Sequence, residues 1–139
     1  MNYRYLYRAK RKNWRELPKE MWWVEGYYAY FKQNDNHCIY YEADGFTLVC
    51  DIDISTLCAC TGLKDENGNL IWENDVVGFL DTYSTENGYA EADCIGKVVW
   101  DDETISFQVT NRLSAESYEV LDECSVIGNI FDNPELMNE

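Results

Sequence analysis

The sequence is poor in the residues that most often carry chemistry or interrupt regular structure. Its 139 residues include one histidine, two prolines, and eleven lysines and arginines against 26 acids. A serine or cysteine nucleophile normally needs a histidine base within hydrogen-bonding reach, and only His37 can supply one. His37 follows the polar run QNDN, which is typical of a loop, so we interpret it as an exposed strand-edge residue. The composition therefore disfavours nucleophilic catalysis.

Recognisable catalytic motifs are also missing. The chain has no glycine-rich phosphate loop, no dinucleotide fingerprint and no Gly-x-Ser-x-Gly segment. A hydrolase that uses paired carboxylates stays open, but with 26 acids such a pair is expected by chance. We predict that the protein is not an enzyme and binds no cofactor.

Long apolar runs are absent as well. No stretch approaches the roughly 18 apolar residues that a membrane-spanning helix needs. The opening residues, MNYRYLYRAKRKNW, carry charge but no apolar core of signal-peptide length. These features predict a cytosolic protein that does not contact membranes. Its six cysteines are then expected to be reduced thiols rather than disulfides.

The sequence contains no convincing metal-binding pattern. Cys58 and Cys60 are one residue apart, whereas structural zinc sites usually space paired ligands by two to four residues. In a strand both thiols point to one face, so we interpret them as core residues, with zinc as the alternative. A calcium loop that starts at Asp65 fails, because Gly68 falls at its fourth position and Val76 at its twelfth. We predict no metal.

The charge is unevenly placed along the chain. The formal net charge is −15, yet residues 1–20 hold seven of the eleven basic residues and only two acids. An acidic surface repels phosphate, so direct nucleic-acid binding by the main body is disfavoured. We expect the basic segment to lie against acids of its own chain or of a neighbour, and nucleic-acid contact by this segment is the alternative.

Aromatic residues are abundant, with five Trp, eleven Tyr and five Phe, and they favour strands. The dipeptides Asp44-Gly45, Asn67-Gly68 and Asn87-Gly88 are typical of tight hairpin turns that need positive φ. We predict strands over residues 3–10, 21–31, 37–43, 46–52, 76–80, 94–100, 105–109 and 125–131. The predicted fold is therefore mainly β, with a boundary near residue 60.

Few helical segments are predicted. Residues 53–57 suit a single helical turn capped by Asp53 or Ser55. Residues 133–136 suit a terminal turn with Pro134 at the first helical position. A short helix near 114–122 is a further prediction.

The segment MWWVEGYYAYF, residues 21–31, is the candidate interaction surface. If it is extended, Trp22 and Trp23 lie on opposite faces, and both cannot enter one small core. One aromatic face is thus predicted to meet another lobe or another subunit, with two-layer packing inside the monomer as the alternative. The candidate residues are Trp22, Trp23, Tyr27, Tyr28 and Tyr30. The protein partner is unknown, and a homo-oligomer is one option.

Two long motifs resemble a known family. Residues 61–77, TGLKDENGNLIWENDVV, and residues 125–137, SVIGNIFDNPELM, resemble characteristic segments of the YopX family of phage and prophage proteins. The run IGKVVWDD at 95–102 suits that family's intervening strand, and the opening YRYLYRAKRKNW is loosely similar to its start. Asn74 stands where the family has glycine, and asparagine is the next-best residue at positive φ.

The resemblance implies a single YopX-like domain over residues 1–139 that is mainly β. Its second half, residues 61–139, would be a small SH3-like β-barrel, preceded by an aromatic-rich β lobe at residues 1–60. The resemblance also implies a phage or prophage origin and a bacterial cytosol. It brings no established activity and no catalytic residues.

Our leading hypothesis is a non-enzymatic accessory protein that acts through protein–protein contacts. The alternative is an acidic nucleic-acid mimic that blocks a host DNA-binding protein, since residues 21–139 are strongly acidic. Ionic strength separates the two hypotheses, because charge-driven mimicry collapses in salt.

Overall fold

Antiparallel strands make up most of the structure, a computed structural model that describes residues 3–114, 116–120 and 123–138. Over these residues the strands are β1 (Tyr7–Lys10), β2 (Trp23–Phe31), β3 (Asn36–Ala43), β4 (Phe46–Asp51), β5 (Cys58–Lys64), β6 (Leu70–Trp72), β7 (Asp75–Thr85), β8 (Gly88–Asp101), β9 (Ser106–Asn111), β10 (Ser117–Glu119) and β11 (Ser125–Asn129). Short 3₁₀ turns cover Tyr3–Tyr5, Trp14–Glu16, Lys19–Met21, Ile54–Thr56 and Pro134–Met137. The prediction of a mainly β fold is confirmed.

The chain divides into two compact units, Met1–Cys60 and Thr61–Glu139. In the first unit the strand order is β4-β3-β2-β1-β5, and each neighbouring pair is antiparallel. The core of this unit is built from Ala9, Val24, Ile39 and Ile52. Partly buried tyrosines, among them Tyr28, pack around these aliphatic side chains.

The second unit begins at Thr61, inside β5. β6 follows in the chain and is the neighbour of β5 in the sheet. A separate five-stranded sheet has the order β10-β9-β8-β7-β11. The core of the unit contains Ile71, Val77, Val98, Val109, Val120 and Cys124. Three of these, on β7, β8 and β9, lie on adjacent strands, so the sheet buries one face against β6 and the segment before β11.

The second unit is not a closed barrel over the residues that the structure describes. Its five-stranded sheet ends at β10 on one side and at β11 on the other. β10 has only three residues and pairs with β9, while β11 pairs with β7. The two end strands are therefore edges of an open sheet, and the barrel expected from the resemblance is not found in closed form.

Several predicted turns are confirmed. Asp44 and Gly45 have φ values of 52° and 81°, which join β3 to β4 as a tight hairpin. Asn74 has a φ of 70°, so it occupies the positive-φ position in place of glycine. At Asn67-Gly68, only the glycine has positive φ, at 82°, so this turn differs from the primed two-residue type.

The two predicted helical turns near residues 53–57 and 133–136 are present as 3₁₀ turns. The side chain of Asp53 accepts a hydrogen bond from the Ser55 backbone at 3.2 Å and caps Ile54–Thr56. Pro134 occupies the first position of the turn Pro134–Met137. A bulge lies near Gly128, because the β7–β11 register shifts between Val126 and Gly128.

Three local predictions are wrong. The strand expected over residues 3–10 begins only at Tyr7, because Tyr3–Tyr5 form a 3₁₀ turn. Ile105 was expected inside a strand, but it lies in the β8–β9 turn with a φ of 52° and is 75% exposed. The helix expected near 114–122 is replaced by β10, because Tyr118 pairs with Val109 across the sheet. Residues 115, 121 and 122 of that predicted helix lie outside the described residues. In the last two cases pairing between strands overrides the local preference of the sequence.

The polar run after β5 folds around the carboxylate of Asp65, which is only 5% exposed. Its Oδ1 accepts hydrogen bonds from the backbone of Asn67 at 3.0 Å and of Asn69 at 2.8 Å. Its Oδ2 accepts one from the Val126 backbone at 2.9 Å, so the turn is tied to β11. Burial raises the pKa of Asp65, but these backbone donors outweigh it and the pKa is lowered overall. The run is a structural turn.

We predict that Asp65→Asn lowers the free energy of unfolding at pH 7 by about 2 kcal/mol, because a charged acceptor of several backbone hydrogen bonds is lost. A depressed pKa contributes stability that is present above the ordinary aspartate pKa and lost as pH falls through the folded-state value. Urea unfolding from pH 7 to pH 3 should therefore show a smaller acid-induced loss in the variant than in the wild type. Asp44→Asn, in an exposed turn, is the matched control, and equal effects of both substitutions would contradict the assignment.

A second prediction concerns Gly68. A Cβ atom at this position would meet nothing within 4 Å, so the cost of Gly68→Val comes from backbone strain at a φ of 82°. The expected loss of stability is about 1–3 kcal/mol, measured as a lower midpoint in thermal unfolding. Gly68→Asn should lose less, because asparagine tolerates positive φ. An unchanged midpoint for Gly68→Val would refute the turn geometry.

Candidate functional site

The tryptophans of the predicted interaction surface enclose a buried lysine. Lys10 is 2% exposed, and its Nζ lies 3.9 Å from the ring centroid of Trp14 and 4.5 Å from that of Trp22. The Trp23 centroid is 5.6 Å away. These distances are typical of cation–π contacts, which are strongest where the cation is shielded from water. Trp22 and Trp23 thus stabilise the first unit around Lys10.

The expectation that Trp22 and Trp23 lie on opposite faces of one strand is wrong. Trp22 follows the 3₁₀ turn Lys19–Met21 with helical φ and ψ of −64° and −43°, and β2 begins only at Trp23. The chain therefore turns between the two side chains, and both rings reach Lys10. The indole of Trp22 also donates a hydrogen bond to the Leu17 carbonyl at 3.0 Å.

Basic residues of the N-terminal segment contact aromatic rings of the first unit. The guanidinium of Arg8 lies 4.9 Å from the Trp23 centroid, and that of Arg15 lies 4.3 Å from the Trp14 centroid. Lys10 is held in the same way. Part of the basic segment thus contacts aromatic rings of its own unit. The charge pattern of the sequence predicts contacts with acidic residues instead.

The tyrosines of the predicted surface divide between the two faces of β2. Tyr27 is 60% exposed and Tyr30 is 48% exposed, whereas Tyr28 packs against the core. The Tyr28 hydroxyl lies 2.6 Å from His37 Nδ1, and burial raises the pKa of this phenol. Tyr30 stacks on the His37 ring at 4.6 Å and donates a hydrogen bond to Asp35. Tyr27 is therefore the most exposed of the three tyrosines.

His37 is held by these tyrosines. It is 25% exposed at the start of β3, and its Nε2 lies 4.0 Å from the Asp35 carboxylate. The contacts made by its two ring nitrogens are thus to a phenol and a carboxylate, not to a serine or cysteine. This arrangement matches a packed hairpin side chain better than the base of a nucleophile.

The exposed apolar surface of the first unit extends from β2 to β4. Cross-strand pairing aligns Tyr27 with Tyr40 and Tyr40 with Val49, so the three side chains form one row on a single face. Val49 is 53% exposed. On the opposite face of β4, Phe46 is 70% exposed and Leu48 is 42% exposed. We call β4 together with Tyr27 and Tyr40 the β4 surface.

Sequence reasoning identified β4 as a hairpin strand but missed it as a surface. The signal is present in Phe46–Cys50, FTLVC, which has no charged residue and has apolar residues at both alternating positions. A strand that buries one face normally alternates apolar with polar residues. Exposed apolar residues on both faces of an edge strand form a kind of surface with which other chains can pair.

The net charge of the protein falls on one of the two units. Residues 1–60 contain eight of the eleven basic residues and eight of the 26 acids, so the first unit is formally neutral. The whole net charge of −15 therefore falls on residues 61–139. The first unit is consequently the part of the chain whose surface opposes self-association least.

The second unit contains an acidic depression of about 330 Å³. It is lined by the apolar residues Phe79, Leu80 and Val109 and by the acids Glu66, Glu119 and Glu123. Sequence reasoning missed this cluster, because Glu66 is distant along the chain from Glu119 and Glu123. Acidic side chains that are distant in sequence thus line one concave place.

Tyr118 lines the same depression and is bound to two further acids. Its hydroxyl lies 2.7 Å from Glu116 Oε2 and 3.1 Å from Asp81 Oδ2. The hydrogen bond to Glu116, burial and the nearby Asp81 raise the pKa of Tyr118 to about 12. The phenol therefore keeps its proton at neutral pH and is not an activated nucleophile.

Metal-binding geometry is not found in the described part of the chain. No group of three or more His, Cys, Asp or Glu side chains there is arranged to hold a metal ion. Cys58 and Cys60 are buried in β5 at 0% and 1% exposure. None of the six cysteines, all of which are among the described residues, forms a disulfide. Among the described residues, no helix has the length and apolar character required to cross a membrane.

Comparisons with known proteins identify the family. The sequence profile described as YopX protein matches residues 6–138, which span both units. No protein among those with curated functions matches the chain. The crystal structure of protein EF1440 from Enterococcus faecalis is similar at 21% identity and a TM-score of 0.48, covering 95% of this chain and 96% of EF1440. The resemblance in the two long motifs is confirmed by the profile match: the chain belongs to the YopX protein family.

Proposed function

We propose that this protein is a non-enzymatic accessory protein that acts through protein–protein contacts made by the β4 surface. The observation that carries the proposal is β4 itself, an edge strand exposed on both faces, with Phe46 at 70% and Val49 at 53% exposure. Edge strands with apolar, uncharged side chains pair readily with other chains, and proteins usually protect them with charge, proline or a covering element. β4 has charge only at its last residue, Asp51.

The surrounding residues support the same use. Tyr27 and Tyr40 extend the apolar row of β4 across two further strands. Exposed tyrosine is enriched in interfaces, because its ring buries area while its hydroxyl tolerates water. The tryptophans predicted for this role are engaged with Lys10, so Tyr27 is the residue of the predicted set that fits the proposal best.

The family resemblance supports the remaining parts of the proposal. It favours a phage or prophage origin and a bacterial cytosolic location. It also favours relating the second unit to SH3-like barrels, as an opened variant whose sheet ends at β10 and β11. The absence of an activated nucleophile at His37 and Tyr118 is in keeping with a role outside catalysis.

A second candidate function rests on the acidic depression of the second unit. Three glutamates beside apolar lining residues suit a basic segment of a DNA-binding protein, which is the arrangement that nucleic-acid mimicry requires. The net charge of −15 on this unit would speed the approach of such a partner. This candidate uses a different unit from the β4 surface, so the two functions are tested separately.

The β4 surface is tested by photo-crosslinking in bacteria that express the protein. We expect p-benzoylphenylalanine in place of Tyr27 to give a discrete protein–protein product on irradiation. The matched control replaces Tyr89, which is 81% exposed in the second unit, and should give no discrete product. Mass spectrometry then identifies the captured chain. No product from position 27, or the same products from both positions, would overturn the proposal.

The second candidate is tested with a fluorescent twenty-residue polylysine peptide. Glu119→Gln combined with Glu123→Gln should weaken binding about fivefold, as expected for two partly exposed ion pairs. Asp102→Asn combined with Glu103→Gln removes the same charge from the β8–β9 turn and should have a smaller effect. Equal weakening by both pairs would indicate attraction by net charge alone and would contradict a specific site.

A further inference from the structure

We propose that two copies of this chain pair through β4, antiparallel, around a two-fold axis beside Leu48. The inference rests on the proposed contact function and names the partner as a second copy. The same edge then meets itself, as the two-fold symmetry of the commonest dimers requires.

The backbone of β4 alternates between bonds to β3 and groups that point outwards. The Ile52 backbone donates to the His37 carbonyl at 3.1 Å, which marks a hydrogen-bonded pair of the β3–β4 register. Bonded and non-bonded pairs alternate in an antiparallel ladder. Cys50, Leu48 and Phe46 therefore bond towards β3, whereas Thr47 and Val49 direct their N–H and C=O groups away from it.

The outward groups form a short, self-complementary edge. Beyond Val49, the next outward carbonyl, that of Asp51, already accepts a hydrogen bond from Lys12 at 3.0 Å. At the other end the chain turns at Asp44-Gly45. The open edge thus runs from Phe46 to Cys50, and its centre is Leu48.

A two-fold axis at Leu48 pairs this edge with itself. Thr47 of one copy then lies opposite Val49 of the other, and the reverse pair is identical by symmetry. Each of these two pairs exchanges both N–H···O=C bonds, so four new hydrogen bonds satisfy the outward groups of both copies. No shift of register is needed to match donors with acceptors.

The side chains fit the same register. Leu48 meets Leu48 of the second copy, and Phe46 meets Cys50, so exposed apolar groups are covered on one face of the joined sheet. On the other face Val49 packs beside Thr47 and extends the row of Tyr27 and Tyr40. No charged side chain lies within the paired segment.

Charge favours a second copy over an oppositely charged partner at this edge. The first unit is formally neutral, so two first units approach each other without net repulsion. The paired register also sets Asp51 opposite Gly45 rather than opposite another acid. A five-residue ladder is a small interface, so we expect a reversible dimer whose population depends on protein concentration.

The register is tested by disulfide trapping of the full chain. In a non-hydrogen-bonded antiparallel pair the Cα atoms are about 4.5 Å apart, which is within the range that a disulfide spans. Leu48→Cys should therefore form a covalent dimer on mild oxidation. Thr47→Cys is the matched control, because its Cα atoms in the two copies would be more than about 7 Å apart, too far for a disulfide. Peptide mapping against the wild type identifies the bond, and equal trapping at both positions, or none at position 48, would overturn the register.

The hydrogen bonds are tested with Thr47→Pro and Thr47→Ala. Both substitutions remove the threonine side chain, but only proline removes the outward N–H, and proline is tolerated on edge strands. Analytical ultracentrifugation should show the dimer for wild type and Thr47→Ala and a shift to monomer for Thr47→Pro, with unchanged circular dichroism. A wild-type monomer at every concentration would overturn the inference.

The crosslinking experiment at position 27, combined with ultracentrifugation, distinguishes failure of the dimer from failure of the proposed contact function. A product with a different protein, from a chain that sediments as a monomer, would retain the contact function and reject the dimer. A chain that neither crosslinks nor dimerises would reject both.

Discussion

The second unit depends on the hydrogen bonds that the carboxylate of Asp65 accepts. It is 5% exposed and accepts hydrogen bonds from the turn that follows β5 and from Val126 of β11. The two motifs that identify the family, residues 61–77 and 125–137, are therefore joined at one buried acid. A second link between them is the hydrogen bond from Ile130 to the Asn74 carbonyl at 3.1 Å. The polar run that begins at Asp65 does not fit a calcium loop and instead connects distant strands through hydrogen bonds.

The two units differ in how they manage charge and exposed surface. The first is formally neutral, and Lys10 at its centre is enclosed by tryptophans. It exposes apolar side chains on β4, where pairing with another chain has little electrostatic cost. The second carries the whole net charge and gathers glutamates around a small depression. The contact function proposed for β4 and the alternative role for the depression thus follow from different physical forces.

Much of the local structure is predictable, because turns and caps depend on neighbouring residues. Asp44-Gly45, Asn74, the Asp53 cap and Pro134 each behave as their side chains require. The errors share one cause, which is the influence of residues far along the chain. Ser117–Glu119 is a strand because β9 pairs with it, and the candidate surface moved from the tryptophans to β4 because Lys10 occupies their rings.

The sequence by itself determined the β class, the turn positions, the uneven charge and the family, since these depend on composition, short spacings and motifs. Only the tertiary structure decided which aromatic residues are buried, which strand is an edge, and that Glu66, Glu119 and Glu123 share one depression. Those properties depend on the order of strands in a sheet, which no local pattern encodes. The sequence pattern of an apolar strand such as β4 is the same whether the strand lies in the middle of a sheet or at its edge. Its exposure depends on the elements that pack beside it.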